Sequence, residues 1–184
     1  MNLQHLNVKI FAAHHAIDLA EAIPVFQSWV QASACELLID VADYRHVPSG
    51  PGVLLAGHEA HYSLDARSLL YNRKAVVEGT NQDKLLQAFF AAFEACRRLE
   101  EDFADRLIFD GGNVEVTVND RLLGPNNADT YQELEPDFRS FFDGLYGRGG
   151  YKLERRGGPR ERFHVSVEAS SFVPVASLLE VVAQ

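Results

Sequence analysis

The run "TNQDKLLQAFFAAFEACRRLEEDF", from Thr80 to Phe103, constrains the fold more than any other stretch. Thr80 and Asp83 have the spacing of a helix capping box, with Asp in place of the usual Glu. Leu85, Leu86, Phe89, Phe90, Phe93, Cys96, Leu99 and Phe103 then recur every three or four residues, which places them on one stripe of a helix. Burying one Phe side chain is worth about 1.5–3 kcal/mol. A stripe this aromatic therefore has to be covered by a sheet or by another helix.

The partner layer is legible as a set of short strands. "NVKIFAA" (Asn7–Ala13), "ELLIDVA" (Glu36–Ala42), "GVLLAGHEAHYSLD" (Gly52–Asp65) and "SLLYNRK" (Ser68–Lys74) are rich in strand formers. "AIPVFQSWVQ" reads as a helix with Pro24 in its first turn and Phe26, Trp29 and Val30 on one face. Further on, "RLIFDGGNVEVTV" predicts a hairpin turning at Gly111–Gly112. "EPDFRSFFDGLYG" predicts a helix with Pro136 near its start and Gly147 past its end. "YKLERR" and "ERFHVSVEA" predict a second hairpin in which Phe163, Val165 and Val167 alternate inward. "PVASLLEVVAQ" predicts a closing helix.

The two halves echo each other. "PVFQSW" at Pro24–Trp29 and "PDFRSF" at Pro136–Phe141 both read Pro-x-Phe-x-Ser-aromatic. Each follows a strand and precedes two strands and a helix, giving β-α-β-β-α twice, the order of the split β-α-β plan. The expected fold is α+β: a tandem ferredoxin-like antiparallel sheet with helices on one face, its pseudo-repeat halves spanning 1–110 and 111–184. The alternative is a single mixed α/β sheet without a repeat. No Pro-, Ser- or Gly-rich linker divides the halves, so residues 1–184 are expected to form one compact domain.

Composition narrows the function classes. The net charge of −9 opposes phosphate backbones, whose binding depends on Lys and Arg. The one basic cluster, "ERRGGPRER" (Glu154–Arg162), has a Gly-Gly-Pro centre that marks a hairpin tip. No apolar run is long enough to span a bilayer. "MNLQHLNVKIF" has neither the basic n-region nor the apolar h-region of a signal peptide. Of the two cysteines, Cys35 and Cys96 are far apart and Cys96 falls on the helix stripe, which suits a reducing cytoplasm. Neither nucleic acid nor membrane is expected as a partner.

Polar chemistry concentrates in "LLIDVADYRHVPSGPGVLLAGHEAHYSLD" (Leu37–Asp65). Strand alternation would send Glu59 and His61 to one side and His58 to the other. "HEAH" is one residue short of the His-Glu-x-x-His that brings two imidazoles to one helix face, and no metal ligand set is expected. The Pro/Gly loop "HVPSGPG" lacks a phosphate-binding fingerprint, but Gly50 and Gly52 would let backbone approach a ligand closely. The candidate ligand-binding set is Asp40, Asp43, Tyr44, Arg45, His46, Gly50, Gly52, His58, Glu59 and His61, with Arg45 suited to a carboxylate. "NDRLLGPNN" (Asn119–Asn127) has turn-building chemistry, and His14–His15 are expected in an exposed loop. No nucleophile elbow or Cys-x-x-Cys occurs, and no cofactor is expected.

"LIDVADYRHVPSGPGVLLAGHEAHYSLD", together with "NDRLLGPN", resembles a family of uncharacterised bacterial proteins of similar length. The resemblance implies a bacterial, cytosolic protein and carries over no activity, cofactor or catalytic residue. Two function classes stand. The preferred one is a non-enzymatic ligand-binding or self-assembling module, expected as a homodimer because sheet edges and aromatic surface need cover. The alternative is a hydrolase-type enzyme using Asp40, Asp43, His46, His58, Glu59 and His61, with or without a metal.

Overall fold

The helix built on the Thr80–Phe103 run organises the molecule. In the computed structural model, which describes residues 1–32 and 37–183, it forms α2 (Asn81–Phe103). The Thr80 side chain accepts from Asp83 N while Asp83 Oδ2 accepts from Thr80 N at 2.8 Å, completing the capping box. Leu85, Phe89, Phe93, Cys96, Leu99 and Phe103 are buried. Leu86 and Phe90 are not, at 41% and 42% exposed. Each lies one residue, about 100° of turn, past a buried neighbour, so the stripe is narrower than its apolar residues suggest. Burial pushes the Cys96 thiol pKa well up, as befits a core residue. Cys35 and Glu36 lie outside the described residues.

α2 packs on one eight-stranded sheet, order β2-β3-β4-β5-β1-β6-β8-β7. The strands are β1 (Leu6–His15), β2 (Leu38–Asp43), β3 (Val53–Gly57), β4 (Ala60–Leu64), β5 (Ser68–Arg73), β6 (Leu107–Val118), β7 (Tyr151–Arg156) and β8 (His164–Ala169). Every pairing between them is antiparallel. The other helices are α1 (Ala22–Ala32), α3 (Ala128–Tyr146) and α4 (Val175–Val182). Alternation sets the buried side. Leu55, Tyr62, Tyr71, Val8, Val116 and Val165 face one another in register across six strands, and all are buried. They join Phe26, Phe89, Phe138 and Phe142 in one apolar cluster.

Four expectations need correction. First, residues 107–118 form one strand rather than a hairpin. Gly111 and Gly112 sit in a bulge, where the β1–β6 register shifts between Ile10 and Phe11. The bulge admits the segment before α4: Gly111 N donates to Val173 O at 2.9 Å, and Asp110 Oδ1 accepts from Gly112 N and Val173 N. A Cβ on Gly111 would meet Val173 O at 3.1 Å. Second, α3 starts at Ala128, so Pro136 lies inside it rather than near its start. Asn127 caps the helix, its Oδ1 accepting from Thr130 N at 2.9 Å. The buried residues Thr130, Leu134, Phe138, Phe141 and Phe142 run through the proline unbroken, so packing outweighs the lost hydrogen bond. Third, four strands, not two, separate α1 from α2, because "GVLLAGHEAHYSLD" turns at His58–Glu59 to make both β3 and β4. His14 and His15 also belong to β1 rather than to a loop.

The chain follows a matching path in each half. Leaving α1, it meanders through β2, β3, β4 and β5, and β5 returns beside β1. Leaving α3, it runs through β7 and β8, and β8 returns beside β6. β1 and β6 pair at the junction. The first half has one hairpin more than the second.

Candidate functional site

β3 divides the residues singled out in the sequence. Its five residues span about 14 Å at roughly 3.4 Å per step. Asp43 pairs with Val53 at one end, while His58 and Glu59 form the turn at the other. The alternation expected for His58, Glu59 and His61 therefore applies only to His61, which lies on β4.

At the first end, Tyr44, Arg45, Gly50 and Gly52 line a solvent-open cleft of about 550 Å³ together with Asp65 and Arg67. The polar groups there are already engaged. Arg45 donates from Nε to Asp43 Oδ1 at 2.9 Å and from Nη2 to Asp43 Oδ2 at 2.8 Å. Those bonds, with a third from Arg45 N, hold the Asp43 carboxyl at about 2. Gly52 has φ +70°, and a Cβ there would run into the Leu64 carbonyl, so this glycine serves chain-to-chain approach. Asp65 Oδ1 accepts from Arg67 N and Ser68 Oγ, shaping the β4–β5 turn. His46 is exposed, and exposed Asp40 accepts from Val41 N.

At the second end, Glu59 pairs with Arg73 at 2.8 Å. Its carbonyl accepts from Lys74 N and Ala75 N. His58 is exposed, and its backbone N donates to Leu37 O.

His61 belongs to a third region. On the sheet face opposite the apolar cluster, Ala56, His61, Asn72, Asn7, Thr117, His164 and Arg156 stand opposite one another across seven strands. One step along, Leu54, Ser63, Leu70, Lys9, Glu115, Ser166 and Glu154 form a parallel row. The apolar residues here, Leu54, Leu70, Ala56 and Phe11, are only half-buried, and Lys9 Nζ lies 5.1 Å above the Phe11 ring. Yet Asn7 is 5% exposed, and its Oδ1 is buried without a hydrogen-bond partner. So is Nδ1 of His61. Burial, then the nearby Lys74 charge, lowers the His61 pKa and favours the neutral ring. Two strand spacings, about 10 Å, separate these two groups, with Asn72 between them.

The sequence reading reached His61 but missed Asn7, Asn72 and Thr117. Their signal was present: in "LNVKI", "YNR" and "VTV" a polar residue interrupts a strand, one or two residues from buried apolar positions. Among the described residues, no group of three or more His, Cys, Asp or Glu side chains is placed to hold a metal ion. No helix among them is long and apolar enough to cross a membrane. No protein-family model, curated protein or solved structure matches the chain.

Proposed function

We propose that this chain is a non-enzymatic binding module whose working surface is the helix-free face of its sheet. The observation that supports this reading is the pair of buried, unpartnered polar atoms, Asn7 Oδ1 and His61 Nδ1, in one register-matched row. Burying an amide or imidazole without a hydrogen bond costs about 1–3 kcal/mol, and a fold gains nothing from keeping two such groups. A ligand that offers a donor to Asn7 Oδ1 and a hydrogen-bonding group to His61 Nδ1 recovers that cost. Its chemistry follows from the site: a neutral, donor-bearing small molecule about 10 Å long, lying across Asn72 with apolar edges on Leu54 and Leu70. Crystals soaked in neutral polar fragments test this. Fragment density bonded to Asn7 Oδ1 or His61 Nδ1 is the expected result. Fragments gathering instead in the Tyr44–Arg45 cleft would overturn it.

The same reading treats the halves as two versions of one ferredoxin-like plan within one domain. β6-α3-β7-β8-α4, with β8 lying between β6 and β7, has the split β-α-β order, and the first half follows it with an added hairpin. Self-association as a cytoplasmic homodimer belongs to the proposal too. It is supported by the edge strand β2 and the residue before it, where Ile39 and Leu37 are 58% and 65% exposed, against a β7 edge carrying Lys152, Glu154 and Arg156. Light scattering that returns 20.5 kDa at every concentration would remove the dimer from the proposal.

A further inference from the structure

Lys84 is the least expected residue in the interior. It lies in the first turns of α2 and is 4% exposed, although lysine is almost never fully buried unless paired. Its Nζ donates to Asn2 Oδ1, a neutral amide oxygen, and among the described residues no carboxylate pairs with it. The adjacent acid, Asp83, feels the Lys84 charge but makes its hydrogen bonds in the helix cap, where Thr80 N and Thr80 Oγ1 donate to it. An ammonium has three protons to place, and here one protein acceptor takes one of them.

The surroundings deepen the imbalance. Lys84, Arg73 and Gln87 line a small cavity whose other walls are Leu3, His5, Leu6, Val77, Ala88 and Gln4, the last already bonded to the Val77 backbone. Its volume, counting the part open to solvent, is about 190 Å³. Arg73 brings a second positive charge, balanced on its outer side by Glu59 at 2.8 Å. Gln87 Nε2 lies 2.9 Å from Tyr71 Oη, and its Oε1 is buried without a partner. The two ends of an amide have nearly the same shape. Turning this one by 180° lets Tyr71 O–H donate to Oε1 and frees the Nε2 protons for another acceptor.

We propose that this cavity is a binding site for one small monovalent anion of about chloride size. Lys84 Nζ and the turned Gln87 amide donate to it, and Arg73 adds to the attraction through its charge. Leu3, Leu6, Val77 and Ala88 make part of the wall apolar and so limit solvent screening, which strengthens the attraction between Lys84 and a single ion. So small a cavity favours a halide over the larger sulfate and phosphate. The site is independent of the open sheet face, so either reading can fail alone.

Bromide is the probe. Crystals grown in sodium bromide should show one anomalous peak within hydrogen-bonding reach of Lys84 Nζ. At constant ionic strength, the melting temperature should be a few degrees higher in bromide or chloride than in gluconate, with no such gain from sulfate. Lys84→Met should abolish both effects. Lys84→Arg, which keeps the charge but fills the cavity, should fold and lose them as well, which guards against a Met variant that fails to fold. A cavity without an anomalous peak, a wild type whose melting ignores the anion, or a halide effect that survives in Lys84→Arg would each overturn the proposal. A crystal peak with no effect on melting is an adventitious ion only, and counts against it equally.

Discussion

Neighbouring residues of β1 meet opposite environments. Val8 points into the apolar cluster, opposite Tyr71 and Val116, and is fully buried among groups that need no hydrogen bonds. Asn7 points the other way, opposite Asn72 and Thr117, and is nearly as buried, yet its carbonyl oxygen bonds nothing. The covered face is arranged for stability. On the open face, Asn7 Oδ1 and His61 Nδ1 are buried without a hydrogen-bond partner, and the proposed ligand would supply one. Burial by itself therefore says little about role: what differs is whether the buried atoms are satisfied.

The largest expected effect lies on the covered face. Phe89 packs against Phe93, Phe141 and Phe142, with ring centroids 5.5, 4.9 and 5.5 Å away. Phe89→Ala should cost about 3–5 kcal/mol in chemical denaturation, with both halves unfolding in one transition because α2 packs on strands from each. Two separated transitions would break the single-core account. Gly52→Ala comes next. It forces a Cβ into positive φ and against the Leu64 carbonyl, and should cost about 1–3 kcal/mol, loosening the hairpin that carries His61.

Asn7→Val reverses the sign. Removing an unsatisfied buried amide from a strand should leave stability unchanged or raise it by up to about 1 kcal/mol, while abolishing the proposed ligand binding. A loss of 2 kcal/mol or more would show that Asn7 is structurally satisfied. The smallest effect is pH-dependent. His61 has a folded pKa below its ordinary 6.5, so the unfolded chain takes up this proton first as pH falls. The stability tied to the neutral ring is complete above about 6.5 and declines as the solution is acidified below that value. His61→Phe should flatten this part of the stability–pH curve, a difference measurable by urea denaturation at pH 7 and pH 5.

How much was legible follows from the physics of each signal. The α2 stripe, its capping box and the 163–167 alternation were readable because they depend on local spacing alone. The β6 bulge was misread because Gly-Gly is equally suited to a turn and to close approach by Val173, and sequence does not show which segment arrives. Pro136 misled because its first-turn preference is a local rule, overridden here by the Asn127 cap and five buried side chains. The polar stretch 37–65 drew attention through density of charge. Yet Asp43 and Arg45 satisfy each other, whereas Asn7 and Asn72 stand 65 positions apart in sequence and face each other only through the β1–β5 register. Long-range register is what the sequence leaves unwritten.

The open-face account is tested most directly by the NMR signals of its own polar groups. Titrating neutral, donor-bearing small molecules into labelled protein and following the side-chain amides of Asn7 and Asn72 with the His61 ring reads the site itself. The account predicts that a binding compound shifts these three together and leaves the buried methyls of Val8 and Val116 unmoved. Compounds that bind while shifting only Tyr44, Arg45 and Arg67, or that shift the His61 ring without Asn7, would contradict it.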